Sequence, residues 1–160
     1  MNTELIRRMA QLSDEEQALL MGLPLSQSTY TEEHLFVVNS DKLLSARQMI
    51  DVRPHTRFTP FPMHSHDYVE ILYMLSGETI HDIPGREPLV LRAGELLMMN
   101  GQAMHAIRQC GENDVGVNFI IRPAFFDEAL AAIGSSHALG RFLIDALKRG
   151  ESSVSLFQSE

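Results

Sequence analysis

The amino-acid sequence predicts a mainly β fold, an antiparallel sandwich or barrel, with helices on both sides of it. Between residues 42 and 122, short runs of β-forming residues alternate with turns that contain glycine. The run from Val115 to Ile121 has apolar side chains at alternate positions, as expected of a strand with one buried face. Strands repeated about every 8–12 residues are typical of sandwiches and barrels.

Five further strands are predicted in this segment, each ended by a turn. The turn at residues 84–87 contains Pro84 and Gly85, so the runs before and after it are predicted to pair as a hairpin. The predicted strands are residues 68–75, 79–83, 89–92, 96–99 and 104–108. Residues 41–122 are therefore predicted to form the barrel.

Residues 1–40 are predicted to be helical and then irregular. Leu5 and Met9 recur at helical spacing. The motif SDEE at residues 13–16 is a capping box, which starts a second short helix. Gly22 ends that helix.

Residues 123–150 are predicted to form a helical pair that serves dimerisation or packs on the barrel. Pro123 suits a first helical position. An apolar stripe follows at helical spacing, formed by Leu139, Phe142, Leu143, Ala146 and Leu147. The apolar surfaces outnumber what one small barrel needs, so a homodimer is predicted. Residues 151–160 are polar and lack periodicity, and are interpreted as a linker or a cut end.

Composition excludes several classes of function. The net charge is −8, and the 13 basic residues are scattered, so the chain by itself is a poor candidate for nucleic-acid binding. No apolar run approaches the roughly 20 residues of a membrane span, which predicts no membrane partner. The single cysteine, Cys110, excludes an internal disulfide and fits a reducing compartment, so a cytoplasmic location is predicted.

The most informative motif is His64, His66 and Glu70, with His105 further along the chain. Even spacings on one extended strand place side chains on the same face, so the first three side chains are expected to converge. Imidazole and carboxylate are ligands of first-row transition metals. The alternative is that the histidines bond to Glu70 and to neighbouring carbonyl groups without a metal.

The pattern His-x-His-x(3)-Glu-x(6)-Gly, from His64 to Gly77, resembles the first motif of the cupin superfamily, and residues 94–109 resemble the second. The resemblance implies a cupin-type double-stranded β-helix, or jelly-roll, barrel. It also implies a divalent transition metal, Zn, Mn, Fe or Ni, at the four ligand positions His64, His66, Glu70 and His105. The second motif departs from the usual pattern, because Asn100, Gln102 and Gln109 stand where cupins usually have Pro, Gly and Asn.

Residues 57–77 and 111–126 resemble the N-terminal sensor domain of AraC-type (AraC/XylS-like) transcription regulators. That resemblance implies a barrel that binds a small effector, often a sugar or related metabolite, and helices that dimerise. It also implies a separate helix-turn-helix half that binds DNA and is not in this chain. The function predicted is therefore effector binding and dimerisation without catalysis. The alternative is a stand-alone metal-dependent cupin enzyme of the isomerase or oxygenase type.

No catalytic residue is predicted. The candidates for effector binding are Arg57, His64, His66, Tyr68, Glu70, His105 and Asn118. The remaining histidines have no ligand spacing and are predicted to lie at the surface or in turns; they are His34, His55, His81 and His137.

Overall fold

Two five-stranded sheets form the body of the protein in the computed structural model, which describes residues 3–31, 36–126, 144 and 152–158. The strands are β1 (Val37–Val38), β2 (Ile50–Pro54), β3 (Phe61–His66), β4 (Val69–Ser76), β5 (Glu78–Asp82), β6 (Leu89–Arg92), β7 (Leu96–Met99), β8 (His105–Ile107), β9 (Val115–Ile121) and β10 (Val154–Phe157). The strand orders are β1-β3-β8-β5-β6 and β10-β7-β4-β9-β2. The prediction of a mainly β protein is confirmed.

The core lies between the two sheets. Leu72 and Met74 of β4 pack against Leu91 of β6 and Leu97 of β7, and none of the four is more than 1% exposed. Burying each such side chain contributes about 1.5–3 kcal/mol of transfer free energy. This shared core fixes the sheets relative to one another, so side chains from both can meet at one site.

The predicted hairpin is present as β5 and β6, which pair antiparallel with Thr79 opposite Leu91. Strands β7 and β9 have the predicted bounds. The stretch from His64 to Glu70 differs from the prediction of one strand, because a bend at residues 67–68 divides it. His64 lies on β3 in one sheet, and Glu70 lies on β4 in the other.

Three strands lie where none was predicted. β2 pairs with β9, and β1 runs parallel to β3. β10 pairs antiparallel with β7 and lies in the stretch interpreted as a linker or a cut end. Its side chains Val154 and Leu156 pack on the core between the sheets, which explains why this short and largely polar stretch forms a strand.

The N-terminal helices are α1 (Thr3–Met9) and α2 (Asp14–Leu20), followed by a 3-10 helix (Gln27–Thr29) and α3 (Ser40–Leu43). The capping box at α2 is confirmed: the Ser13 hydroxyl accepts from the Glu16 amide, and the Glu16 carboxylate accepts from the Ser13 amide, both at 3.1 Å. No helix among the described residues is long and apolar enough to cross a lipid bilayer. Most of the predicted C-terminal helical pair, residues 127–143 and 145–150, lies outside the described residues.

Gly77, which ends β4, is expected to tolerate no side chain. It has a φ of 68°, and a Cβ atom there would collide with the Asp114 carboxylate and lie 2.8 Å from the Asn113 carbonyl oxygen. Gly85 in the β5–β6 turn has a φ of 74° but nothing within 4 Å of such an atom. Gly85→Ala is therefore expected to cost about 1 kcal/mol of unfolding free energy. Gly77→Ala is expected to cost about 1–3 kcal/mol more, because the backbone must shift.

Urea unfolding of the two variants measures this difference. Both substitutions place alanine at positive φ, so Gly85→Ala is the matched control for the backbone conformation alone. Equal losses in the two variants would contradict the close approach at Gly77.

Candidate functional site

A cavity of about 340 Å³ lies between the barrel and helix α2. The helix contributes Asp14, Glu15 and Glu16 to its wall. The barrel contributes four of the predicted effector-binding residues, His64, Tyr68, Glu70 and Asn118. A concave, largely apolar space with a few converging polar groups is the usual form of a small-molecule site.

At the buried end of this region, three predicted metal ligands converge from three strands. His66 on β3, Glu70 on β4 and His105 on β8 each offer a ligand atom, and these atoms lie within 4.8 Å of one another. The Glu70 Oε2 atom is 3.6 Å from His66 Nε2 and 3.5 Å from His105 Nε2. The fourth predicted ligand, His64, is not in this group, although its ring centroid is 4.2 Å from that of His105.

Backbone carbonyl groups fix the histidine rings. His66 Nδ1 is 2.7 Å from the Tyr68 carbonyl oxygen, and His64 Nδ1 is 2.9 Å from that of Pro62. A carbonyl oxygen only accepts, so each Nδ1 carries the proton and donates it. Each neutral ring therefore keeps a lone pair on Nε2, which is the form that binds a metal.

His105 is held by another histidine. Its Nδ1 atom is 3.1 Å from Nδ1 of His81, and the two rings are nearly parallel, with centroids 5.4 Å apart. His81 lies on β5 and is fully buried, and His55 after β2 is also buried. The prediction that these two lie at the surface or in turns is wrong. His34 and His137 lie outside the described residues.

Only one of the two carboxylate oxygens of Glu70 has a hydrogen-bond partner among the described residues. Its Oε1 atom accepts a hydrogen bond of 2.7 Å from the Asn118 amide, whereas Oε2 has no partner among the described residues. Burial raises the pKa of Glu70. His66 Nε2 and His105 Nε2 likewise have no partner in the part of the chain described. The Glu70 oxygen and His66 Nε2 are acceptors that face one another, and His105 Nε2 is a third acceptor when Nδ1 of His105 donates the hydrogen bond to His81. Buried acceptors are costly unless a proton or a cation lies between them, so the donor set fits a divalent transition metal.

Burial keeps the histidines of this region uncharged. It lowers the pKa of His66 to about 4 and lowers the pKa of His64, and it places the pKa of His105 well below the ordinary range. Neutral imidazoles at physiological pH are able to bind a metal without first losing a proton.

Comparison with known families identifies the barrel. The family model described as the AraC-like ligand binding domain matches residues 50–158, from the start of β2 to the residue after β10. The chain belongs to this family. Among the curated proteins, none matches the chain. The AraC-like match excludes α1 and α2, although α2 forms part of the cavity wall.

Solved structures that match part of the chain include ToxT and cupin proteins. ToxT of Vibrio cholerae with bound unsaturated fatty acid is 11% identical, with a TM-score of 0.49 over 70% of this chain and 41% of ToxT. A cupin protein of Bacteroides fragilis is 25% identical, with a TM-score of 0.36 over 46% of this chain and 64% of its own. The DMSP lyase DddQ of Ruegeria pomeroyi is 21% identical, with a TM-score of 0.39 over 46% of this chain and 38% of the lyase.

The fold of this AraC-like domain is cupin-type, as the sequence motifs predict. The chain spans less than half the length of ToxT.

Arg57, a candidate for effector binding, does not line the cavity. Its guanidinium is 1% exposed; Nε donates to Glu16 Oε1 at 2.7 Å and Nη2 to Glu16 Oε2 at 3.0 Å. Nη2 also donates to the Ala10 carbonyl oxygen, and Nη1 to that of Glu112. These bonds join the N-terminal helices to the barrel and commit the side chain to holding α2 over the cavity.

Sequence reasoning missed most residues of the cavity wall, among them three with functional polar groups. Glu15 is on α2, Tyr30 follows the 3-10 helix, and Arg53 is on β2. The Tyr30 hydroxyl donates to Glu15 Oε2 at 2.6 Å. Burial and the neighbouring Glu15 carboxylate together raise the pKa of Tyr30. The only signal in the sequence was the capping box, which places Glu15 in the first turn of α2 but does not indicate what covers it.

Proposed function

We propose that this chain is the small-molecule effector-binding domain of an AraC-type transcription regulator, and that it binds without catalysis. The observation that carries the proposal is the 340 Å³ cavity, because its wall joins barrel residues to helix α2. An effector in that position contacts two parts of the fold at once. Its affinity then depends on how the N-terminal segment packs, which is what a two-state switch requires.

The rest of the proposal follows from the family. The domain forms a homodimer in the cytoplasm, and the regulator contacts DNA through a separate helix-turn-helix half. Effector binding repositions that half by changing the packing of the N-terminal helices or of the C-terminal segment. Sedimentation velocity of the purified chain tests the dimer, and a monomer at all concentrations would contradict it.

A thermal-shift screen of sugars and other metabolites tests effector binding. A ligand at 100 times its dissociation constant is expected to stabilise the fold by about 2.7 kcal/mol. Thr59→Trp places a large side chain at the cavity wall and is expected to abolish the shift. Glu87→Trp, on the exposed β5–β6 turn, is the control that keeps it. A shift that survives Thr59→Trp would place the ligand elsewhere.

A metal-dependent enzyme of the isomerase or oxygenase type is the second candidate. One observation favours it, namely the three buried ligand atoms of His66, Glu70 and His105 that have no other partner among the described residues. A divalent metal bound there would supply Lewis-acid chemistry. The same ion could equally hold an effector, so occupancy alone does not decide between the two functions.

The metal is tested by titrating the chelator-treated protein with Co²⁺. The wild type is expected to bind one equivalent, and Glu70→Gln is expected to bind none in the same range. His81→Asn is expected to weaken binding about 10–100-fold, since His81 orients His105. Thr79→Val, on the same buried strand, should leave the affinity unchanged.

The readouts are calorimetry and the visible absorption of bound Co²⁺, with circular dichroism to verify folding of each variant. A folded His81→Asn protein with wild-type affinity and spectrum would contradict the role of His81. A wild type that takes up less than about a tenth of an equivalent would contradict the metal site itself.

A further inference from the structure

We infer that the cavity takes a small organic cation, a protonated amine or quaternary ammonium attached to an apolar body. The inference rests on the proposed function and names the chemical class of its effector. It is carried by the charges on the cavity wall and by the aromatic rings beside them.

The positive charges at the cavity are already paired. Arg53 donates twice to Asp51 Oδ2, at 2.7 and 3.0 Å, and once to a backbone carbonyl oxygen. Glu16 is likewise paired with Arg57. Within the described part of the wall, the carboxylates of Asp14 and Glu15 have no lysine or arginine partner. The wall therefore has an excess of negative charge.

Glu15 is the centre of this excess. It is half-buried, and its Oε2 atom accepts from the Tyr30 hydroxyl at 2.6 Å and from the Thr56 hydroxyl at 3.4 Å. Both partners are neutral donors, so they orient the carboxylate without compensating its charge. A carboxylate partly withdrawn from water and held in this way favours a cationic ligand over a neutral one.

Aromatic rings line the same space. Tyr30 and Phe61 meet edge to face with centroids 5.0 Å apart, and the His64 ring lies 4.6 Å from that of Phe61. Tyr68 adds a further ring to the wall. Tyrosine and phenylalanine faces attract ammonium groups, and the attraction grows as the cation is desolvated. Rings next to a fixed carboxylate are the arrangement that binds alkylated amines.

No described residue of the cavity wall offers an unpaired positive charge to an anion. His55 is buried, and burial lowers its pKa to about 4, so its ring is uncharged at neutral pH. A ligand carboxylate or phosphate in the cavity would be repelled by the Glu15 carboxylate.

Three probes of matched size test the charge: 2-phenylethylamine, 2-phenylethanol and 3-phenylpropionate. Calorimetry at pH 7 with a chelator present measures each affinity. The amine is expected to bind at least tenfold more tightly than either of the others and to weaken as salt is added. Glu15→Gln, which keeps the acceptor for Tyr30, is expected to reduce the amine affinity about tenfold. Glu87→Gln, on an exposed turn, is the matched control and should change nothing.

The inference is overturned if the alcohol or the carboxylate binds as tightly as the amine, if Glu15→Gln leaves the amine affinity unchanged, or if the amine does not bind. The screen with Thr59→Trp separates these results from the proposed function. A neutral or anionic metabolite whose thermal shift Thr59→Trp abolishes would keep effector binding and remove only the cationic class. If no compound binds in the cavity, both conclusions fail.

Discussion

Replacing Glu16 with glutamine is expected to lower the free energy of unfolding by about 3–5 kcal/mol, because it leaves the Arg57 guanidinium buried without its counter-charge. The side chains are only 1% and 2% exposed, and Nε of Arg57 lies 2.7 Å from Glu16. Burial alone would raise the pKa of Glu16, but its bonds to Arg57 and Ser13 outweigh burial and hold that pKa below the usual value. The carboxylate is therefore charged at neutral pH, and glutamine cannot replace that charge.

Urea unfolding at pH 7 measures the loss. Glu4→Gln is the control, since it breaks a pair with Arg7 in which the side chains are 59% and 75% exposed. Exposed pairs of this kind are worth about 0–1 kcal/mol. The double variant Glu16→Leu with Arg57→Met is expected to recover part of the loss, because both charges are then absent from the interior. A Glu16→Gln protein as stable as Glu4→Gln would contradict the buried pair.

The local features of the fold could be predicted from sequence because each depends on neighbouring residues. The β5–β6 hairpin depends on the turn at Pro84 and Gly85, and the start of α2 depends on bonds between Ser13 and Glu16. Strand β9 could be recognised from its alternate apolar residues, although both of its faces are largely buried. Such signals are complete within a few residues of sequence, so no tertiary contact is needed to interpret them.

The residue types of the site could be predicted from the sequence, but the arrangement of their side chains could not. Even spacing from His64 to Glu70 suggested one strand, but the bend at residues 67–68 contains neither glycine nor proline. The side chains converge because β3, β4 and β8 approach one another across two sheets. The motif therefore indicated the right residue types, but the geometry assumed for them, one extended strand, is not the geometry in the structure.

Contacts between distant residues were not predictable at all. His81 reaches His105 because β5 pairs with β8 in the register that places His81 opposite Ile107. Glu16 meets Arg57 because α2 folds back over the barrel. Nothing in the sequence near any of these residues specifies its partner, since the strand register and the helix position arise only from the whole fold.

Lowering the pH from 7 to 5 is expected to destabilise the metal-free protein by several kcal/mol. Burial lowers the pKa of His55 and His66 to about 4 and that of His81 to about 3, against an ordinary value near 6.5. Between about pH 4 and 6.5 the unfolded chain binds protons at these three positions that the folded protein does not bind. Their contribution to stability is therefore complete above about pH 6.5 and is lost as the pH falls.

Glu70 acts in the opposite direction. Burial raises its pKa, so above the unfolded value the folded protein holds a proton that the unfolded chain releases. This one group offsets part of the loss but cannot balance three histidines. Urea unfolding in the presence of a chelator at several pH values measures the net slope, and stability that is flat between pH 5 and 7 would contradict the buried neutral histidines.

His81→Asn separates the histidine contribution from general acid destabilisation. Asparagine does not titrate, so the slope of stability against pH near pH 5 should decrease by up to about 1.4 kcal/mol per pH unit. Saturating Co²⁺ should make the wild-type slope steeper, because bound metal displaces the proton that the raised pKa of Glu70 keeps in the metal-free fold. A slope that Co²⁺ leaves unchanged would contradict metal binding at Glu70.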